Sequence, residues 1–368
     1  MSSTKLSVGI VGLPNVGKST LFNALTKRGA ETANYPFCTI DPAVGVVIVP
    51  DARLGQLSEF SHSKKTIPAV VEFVDIAGLV KGASEGEGLG NKFLANIRET
   101  DAIAEVVRIF DESDIIHVEG RIDPLSDVIT INLELIIADL QTVTKRIDAI
   151  AKDVQRGDKV LAKEHAALVK VFAMLEKGEM AKSADLDEEE VQIVKLANLL
   201  TIKPILYILN KMAGGKNLDE MNDERFKKLI AYFTERKDQF VIVDAKIEEE
   251  LGAFEGEEKK LFATELGVKG DGVDELIVAA YKLLGLMTYL TTGEDETRAW
   301  TIVAGSTAPV AGMAIHTDFK EKFIRAEVIN WKELLDSGSY AGAREKGLVK
   351  TVGKDYIVND GDVIEFKI

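Results

Sequence analysis

Eight residues near the start of the chain constrain its fold more than any other feature, and they read Gly12-Leu13-Pro14-Asn15-Val16-Gly17-Lys18-Ser19. In such a segment main-chain N–H groups curl around an anion, which favours glycine at both ends. The apolar run at residues 6–11 predicts a buried strand, and residues 20–25 predict a helix whose positive end faces the anion. Strand, loop and helix in this order predict a phosphate-binding loop.

This loop also predicts how a nucleoside triphosphate would be held. We expect the nucleotide to contact Asn15, Val16, Gly17, Lys18, Ser19 and Thr20. The Lys18 ammonium would reach the β and γ phosphates, and the Ser19 hydroxyl would take one position on Mg²⁺.

Composition bounds the remaining possibilities. A length of 368 residues predicts two or three domains. The net charge of -15 argues against bulk attraction to nucleic acid, so any RNA contact must be local and no DNA partner is expected. The single cysteine, Cys38, allows no intramolecular disulfide and no cysteine-based zinc cluster. Without a bilayer-spanning apolar run or a signal-peptide pattern, we expect a cytoplasmic protein with no membrane partner.

Six short apolar runs predict the strands of an α/β sheet, because helical stretches separate several of them. In such sheets the ligand lies at the carboxyl ends of the strands. The predicted strands are residues 6–11, 43–49, 69–74, 103–109, 204–209 and 240–243.

A heptad pattern interrupts this sheet and predicts an inserted antiparallel helical hairpin, or coiled coil. Apolar residues recur at alternating spacings of four and three on a first helix, and after a turn at residues 155–158 a second helix continues the spacing. Two amphipathic helices packed on the sheet are the alternative. The predicted seam, with His165 as a structural residue, consists of Ile129, Leu133, Ile136, Leu140, Val143, Ile147, Ile150, Val154, Leu161, His165, Leu168, Phe172 and Leu175.

The last part of the chain has a different pattern. Runs at residues 298–303, 323–329 and 356–366 predict strands around one helix at 331–335, with a turn at 359–362. We therefore expect four segments. They are a first nucleotide-binding part at 1–127, the helical insertion at 128–200, a second nucleotide-binding part at 201–284 and a β-rich domain at 285–368.

Two further motifs narrow the class of nucleotide-binding protein. An apolar strand ends in Asp75-Ile76-Ala77-Gly78, where Asp75 can hold Mg²⁺ through a water and the Gly78 N–H can bind the γ phosphate. Thr39 lies between this motif and the first loop and could close over the metal; a simple turn residue is the alternative. The order of the three elements is typical of GTPase-like switch proteins.

The surrounding residues resemble the YchF family of Obg-related proteins, also called Obg-like ATPases. This resemblance implies a Ras-like nucleotide domain with a coiled-coil insertion and a C-terminal TGS domain of β-grasp fold. It also implies an ATPase that associates with the ribosome, ribosomal RNA or translation factors. The matching segments, which span nearly the whole chain, are residues 12–25, 34–40, 73–84, 86–91, 97–99, 308–309 and 315–319.

Hydrolysis would need a group other than the usual glutamine. In Ras-type switches a glutamine directly after Asp-x-x-Gly orients the attacking water, whereas this position holds Leu79. The resemblance places a catalytic histidine at His117, and imidazole can bind a water or accept its proton near neutral pH. A packing role for His117 is the alternative. Asn15 stands where some relatives bind K⁺, and a hydrogen bond within the loop would explain it equally well.

The segment that would read the base departs from the usual pattern. GTPases use Asn-Lys-x-Asp, whose carboxylate accepts two hydrogen bonds from guanine, but this chain has Asn210, Lys211, Met212 and Ala213. The main source of guanine preference is therefore missing. YchF relatives commonly have Asn-x-x-Glu here, so Ala213 departs from that pattern as well. We expect Asn210 and the main chain of Lys211 and Met212 to contact the base. After the next strand, Asp244-Ala245-Lys246 resembles the loop that completes the pocket, with Ala245 as the expected contact.

Three functions are open at this point. The first is a switch whose slow ATP hydrolysis toggles binding to the ribosome or its factors. The second is a nucleotide-gated RNA-binding or ribosome-binding protein with incidental hydrolysis. The third is a GTPase of the same fold, which Asn210 and Lys211 favour and Ala213 disfavours.

Overall fold

The structure, a computed structural model, describes residues 6–27, 43–76, 89–111, 122–254, 256–266 and 272–368. The strands are β1 Ser7–Val11, β2 Val44–Ile48, β3 Thr66–Ile67, β4 Val70–Asp75, β5 Ala102–Arg108, β6 Phe110–Asp111, β7 Ile205–Asn210, β8 Lys216–Asn217, β9 Gln239–Val243, β10 Leu286–Thr292, β11 Thr297–Val303, β12 Arg325–Asn330, β13 Lys350–Val352 and β14 Asp362–Lys367. The helices are α1 Lys18–Lys27, α2 Ala52–Ser61, α3 Leu89–Glu99, α4 Pro124–Gln155, α5 Lys159–Glu176, α6 Glu188–Leu196, α7 Glu224–Arg236, α8 Ala245–Leu251, α9 Gly256–Glu265, α10 Gly272–Leu283, α11 Ala308–Gly312, α12 Asp318–Glu321, α13 Trp331–Ser337 and α14 Tyr340–Glu345.

The first sheet has the order β2-β4-β1-β5-β7-β9 and contains all six strands predicted from the apolar runs. Strands β4, β1, β5, β7 and β9 are parallel, and β2 is antiparallel to β4. Every residue of β5 and β7 is buried, which explains why these strands appear in the sequence as continuous apolar runs. The carboxyl ends of the parallel strands form one edge of the sheet.

Helices α4 and α5 pack against each other and are joined by only three residues. Asp123 caps α4 by accepting a hydrogen bond from the Ser126 N–H, and Asp158 caps α5 by accepting from the Val160 and Leu161 N–H groups. Helix α4 begins at Pro124, so the boundary expected at residue 128 falls inside it.

The first part of the predicted seam is wrong. The residues Ile129 and Leu133 are 47% and 48% exposed, and the neighbouring Val128, Ile131 and Leu135 are buried instead. Helix α4 packs on β5 and α7 as well as on α5, and the burial of these neighbours shows that a different face of the helix points inward at its first turns. Further along α4 the predicted seam positions Ile136, Val143 and Ile150 are buried.

The second sheet has the order β13-β12-β14-β10-β11-β3 and lies in the C-terminal part of the chain except for β3. The helix predicted at residues 331–335 forms as α13, but the expectation of a single helix here is wrong, since α11, α12 and α14 form as well. Each of these three has only four to six residues, which is too short for a helical period to show in the sequence.

Strand β3 connects the two sheets. It follows α2 in the chain, between β2 and β4 of the first sheet, and pairs in parallel with β11 of the second through Thr66 and Thr297. Nearby, the Arg53 guanidinium bonds the carboxylate of Asp360 at 2.7 Å. Both contacts attach the C-terminal sheet to the segment between β2 and β4.

Within these described ranges, no helix is both long enough and apolar enough to cross a membrane.

Candidate nucleotide-binding site

The phosphate-binding loop connects β1 to α1 and needs glycine at both ends. Gly12 has a φ of +153° and Gly17 a φ of +100°, values that residues with side chains rarely adopt. A Cβ at Gly12 would lie 2.7 Å from the Val106 carbonyl oxygen, and one at Gly17 would lie 2.2 Å from Asn210 Nδ2. Any other residue would therefore strain the main chain at both positions, and it would clash with main chain at Gly12 and displace the Asn210 side chain at Gly17.

The polar side chains of this loop differ in their exposure to solvent. Lys18 is only 8% exposed, and its Nζ donates a hydrogen bond to the Leu13 carbonyl oxygen at 2.8 Å. Asn15 has a left-handed φ of 64° and is exposed, as is Ser19 in the first turn of α1. The ammonium is thus folded back across the loop, with the Ser19 hydroxyl open to a ligand.

Asp75, at the end of β4, provides the opposite charge. Burial lowers the pKa of Lys18, and the negative charge of Asp75 offsets part of that shift. Burial likewise raises the pKa of Asp75, and Lys18 offsets part of it. Both charges are incompletely compensated, so an anion beside Lys18 and a cation beside Asp75 would each be stabilised.

The residues present fit Mg²⁺. The hydroxyl of Ser19 and the partly desolvated carboxylate of Asp75 are hard oxygen donors, which this ion prefers. In the part of the chain that the structure describes, three or more Asp, Glu, His or Cys residues nowhere gather as a metal cluster. A Mg²⁺ ion bound mainly by phosphates, water and one or two side chains needs no such cluster.

Asn210 joins the loop to the opposite end of the site. It ends β7, donates from Nδ2 to the Val16 carbonyl oxygen at 2.8 Å, and accepts at Oδ1 from the Ala245 N–H at 3.0 Å. The structure therefore brings together three predicted segments of the site that lie far apart in sequence.

Two residues that the sequence did not predict hold the loop after Asn210. Asn217 accepts from the Met212 N–H and donates to the Met212 carbonyl oxygen, both at 2.9 Å. Glu220 accepts from Lys211 Nζ at 3.2 Å and from Asn217 Nδ2 at 3.2 Å. Nothing in the sequence indicates that residues 217–220 fold back, since the short strand β8 carries no recognisable pattern.

Asp244 is a third residue that sequence reasoning did not assign. It is 8% exposed, and its Oδ1 accepts from the Ile247 N–H at 3.1 Å, which caps α8. Burial raises the pKa of Asp244, and the N–H groups of Ala213 and Lys246 lower it in part. In the sequence, the only signal for a role of Asp244 was its position directly before Ala245.

Three predicted site residues, Thr39, Gly78 and His117, lie outside the described residues, as does Leu79. Their roles stay predictions.

Two family models match the chain. The model described as "50S ribosome-binding GTPase" matches residues 7–138, and the YchF-GTPase C-terminal model, described as a protein of unknown function (DUF933), matches residues 286–368. The ribosome-binding ATPase YchF of Bacillus subtilis is 52% identical over 98% of this chain and 99% of its own length. The chain belongs to the YchF family.

Other YchF proteins show the same full-length similarity. The ribosome-binding ATPase YchF of Escherichia coli O157:H7 is 48% identical over 97% of this chain and 98% of its own length. The solved structure of the Schizosaccharomyces pombe YchF GTPase superposes with a TM-score of 0.88 and 38% identity, covering 100% of this chain and 99% of that one. The family resemblance and the P-loop α/β fold class are thereby confirmed.

Proposed function

We propose that this YchF protein is a P-loop ATPase whose nucleotide state controls its binding to the ribosome. The observation that carries the proposal is the phosphate-binding loop with the buried Lys18 and, at the end of β4, the half-buried Asp75 that acts on it electrostatically, opposite charges that a Mg²⁺-bound triphosphate would compensate. The names of its relatives, ribosome-binding ATPases at 48% and 52% identity, support both the reaction and the partner.

The residues of the loop have distinct roles in this proposal. Main-chain N–H groups of residues 15–20 bind the phosphate oxygens, and the desolvated Lys18 ammonium binds the β and γ phosphates with little screening. Ser19 and Asp75 would hold Mg²⁺, and Thr39 and the Gly78 N–H would complete the γ-phosphate side. Bound Mg²⁺ supplies positive charge that neutralises the transferring phosphoryl group.

We also assign the finer architecture. The α4–α5 pair is a coiled-coil insertion, supported by its three-residue connection and the buried residues facing α5. The C-terminal sheet is a TGS domain of β-grasp fold, supported by the parallel pairing of β10 with β14 and by α13, which packs against β12. The nucleotide domain is then divided into residues up to 123 and residues 201–284, with the insertion beginning at Pro124.

ATP is preferred over GTP in this proposal because Ala213 lacks the carboxylate that reads guanine. A GTPase is the second candidate, and the observation that favours it is the Asn210 side chain, whose contacts join the phosphate loop to Ala245.

One experiment tests the function as a whole. ATP and GTP turnover would be measured with and without ribosomes, and cosedimentation with ribosomes would be compared for the ATP-analogue, ADP and nucleotide-free forms. We expect ATP to be the better substrate and ribosome binding to differ between the forms. Equal cosedimentation of all forms would instead support incidental hydrolysis, and turnover of GTP alone would support the GTPase.

His117→Ala tests the catalytic residue. We expect ATP turnover to fall by about 100-fold or more, as for loss of a general base, while ATP affinity stays near wild type. His62→Asn, at an exposed position with a left-handed φ of 51° that asparagine tolerates, is the control. Unchanged turnover in His117→Ala would remove this residue from the mechanism.

A monovalent cation is tested in the same assay. We propose K⁺ at Asn15, and faster turnover in KCl than in NaCl supports it. Equal rates in the two salts would assign Asn15 to the loop's own hydrogen bonds.

A further inference from the structure

We propose that Asp244 supplies the carboxylate that accepts a hydrogen bond from the exocyclic amino group of the purine, in place of the carboxylate missing at Ala213. This inference rests on the proposed function, because it requires a purine nucleotide in the site.

Asp244 lies between the two segments that would surround the base. It directly follows β9, whose last residue, Val243, pairs with Asn210 at the end of β7. The Lys211 N–H bonds the Val243 carbonyl oxygen at 2.9 Å, so the two loops leave the sheet side by side. The Asp244 carboxyl faces the Ala213 N–H and the Lys211 charge across this gap.

One oxygen of this carboxyl has no partner. Oδ1 accepts from the Ile247 N–H, whereas Oδ2 is buried and has no partner of normal hydrogen-bond distance and angle among the residues that the structure describes; the N–H groups of Ala213 and Lys246 approach the carboxyl without forming such a bond. A buried acceptor left unpaired is costly, and a donor on a ligand would remove that cost. An exocyclic amino group carries such a donor.

The absence of a carboxylate at position 213 is compatible with the presence of one at position 244. The methyl side chain at Ala213 offers no acceptor, and a carboxylate there would face that of Asp244, which like-charge repulsion disfavours. Within residues 210–213 and 244–246 the one carboxylate is therefore that of Asp244, on the second loop instead of the first.

Glu220 is the other carboxylate near the base loop, and it fits the role less well. Its two oxygens already accept from Lys211 and Asn217, and its side chain is 56% exposed. Water competes with a ligand at an exposed acceptor, so discrimination depends on a desolvated one.

The test compares ATP with purine riboside triphosphate, which differs by the absence of the 6-amino group. Asp244→Ser is the main variant, because serine caps a helix about as well as aspartate and so preserves the start of α8. Asp223→Ser, at the N-cap of α7, is the matched control. Affinities for both nucleotides would be measured by equilibrium titration in Mg²⁺.

We expect wild type and Asp223→Ser to bind ATP about tenfold or more tightly than the analogue, as for one hydrogen bond to a charged group. In Asp244→Ser the ratio should fall close to one, mainly through weaker ATP binding. Equal weakening of both nucleotides, or an unchanged ratio, would overturn the proposal. If Asp244→Ser does not fold, Asp244→Asn is measured against the same criterion.

The failure of this inference differs from that of the proposed function. Wild type that binds neither triphosphate contradicts the function itself, whereas wild type that binds both equally well overturns only the role of Asp244.

Discussion

The two ends of the nucleotide site are built differently. The phosphate end consists of one continuous stretch, residues 12–20, in which main-chain groups and the Lys18 ammonium surround the ligand position. The base end is assembled from residues 210–213 and 244–246, with residues 217–220 holding the first loop in place. Asn210 is the only described side chain hydrogen-bonded to both Val16 and Ala245. If the proposed site is correct, phosphate binding and base recognition depend on different parts of the chain and can be altered separately.

The substitution Lys18→Ala should weaken the binding of phosphate at the phosphate end of the site. Because a buried ammonium gives charge-assisted hydrogen bonds to phosphate, we expect affinity for ATP and GTP to fall alike by about 100-fold, or about 2.7 kcal/mol. Lys27→Ala, at the exposed end of the same helix, should stay within about threefold of wild type. Calorimetric titration measures both, and a selective loss of one nucleotide would contradict the distinction between the two ends.

The substitution Asn210→Ala should remove the hydrogen bonds that connect the phosphate end of the site to the base end. It leaves the Val16 carbonyl oxygen and the Ala245 N–H unpaired in a buried region, so we expect the free energy of unfolding to fall by about 2–4 kcal/mol and affinity for both nucleotides to weaken. Urea denaturation provides the measurement. Asn23→Ala removes an exposed hydrogen bond to Glu249 and is the control. Wild-type stability in Asn210→Ala would show that the ends are not joined there.

Asn217→Ala should weaken the base end alone. Without its two bonds to Met212 the loop loses its fixed position, and we expect ATP affinity to fall by about three- to tenfold. Tripolyphosphate lacks a base and should bind as it does to wild type. The separation of the ends would be wrong if tripolyphosphate lost affinity by the same factor.

The substitution Glu105→Gln tests whether a carboxyl group buried in the first sheet is protonated in the folded protein. Glu105 is fully buried in β5, and burial, followed by the charges of Asp127 and Asp238, raises its pKa well above the usual value. The folded state then binds a proton that the unfolded state releases, so stability falls as pH rises above about 4.3, the pKa of an unperturbed glutamate. Glutamine does not titrate, so the Glu105→Gln variant lacks this contribution to the pH dependence of stability.

The comparison is made by urea denaturation at pH 6 and pH 8. We expect Glu105→Gln to lose less stability than wild type between these values, and to bind ATP normally at both. Parallel pH profiles would indicate that Glu105 is ionised in the folded protein.

The same contrast explains what the sequence could predict. The phosphate loop is contiguous, and its glycines, Lys18 and Ser19 stand at fixed spacings, so both the motif and its place between β1 and α1 could be inferred. The six strands were equally accessible because each coincides with a short, mainly apolar run in the sequence. Membership of the YchF family followed from several such motifs in order.

What the sequence could not predict depends on contacts between distant segments. Ile129 and Leu133 match the heptad spacing, but the sheet beneath α4 selects another face of the helix. The roles of Asn217, Glu220 and Asp244 exist only because β7, β8 and β9 bring their loops together. Glu105 lies within an apolar run, and no local pattern distinguishes it from an exposed charge at a strand edge.

Hydrogen exchange of the wild-type protein, with and without a non-hydrolysable ATP analogue in Mg²⁺, tests most directly whether the two ends form one site. We expect the amides of residues 15–20, 211–213 and 245–247 to slow together on binding. Slower exchange at only one of the two ends, or at neither, would contradict a single nucleotide site joined through Asn210.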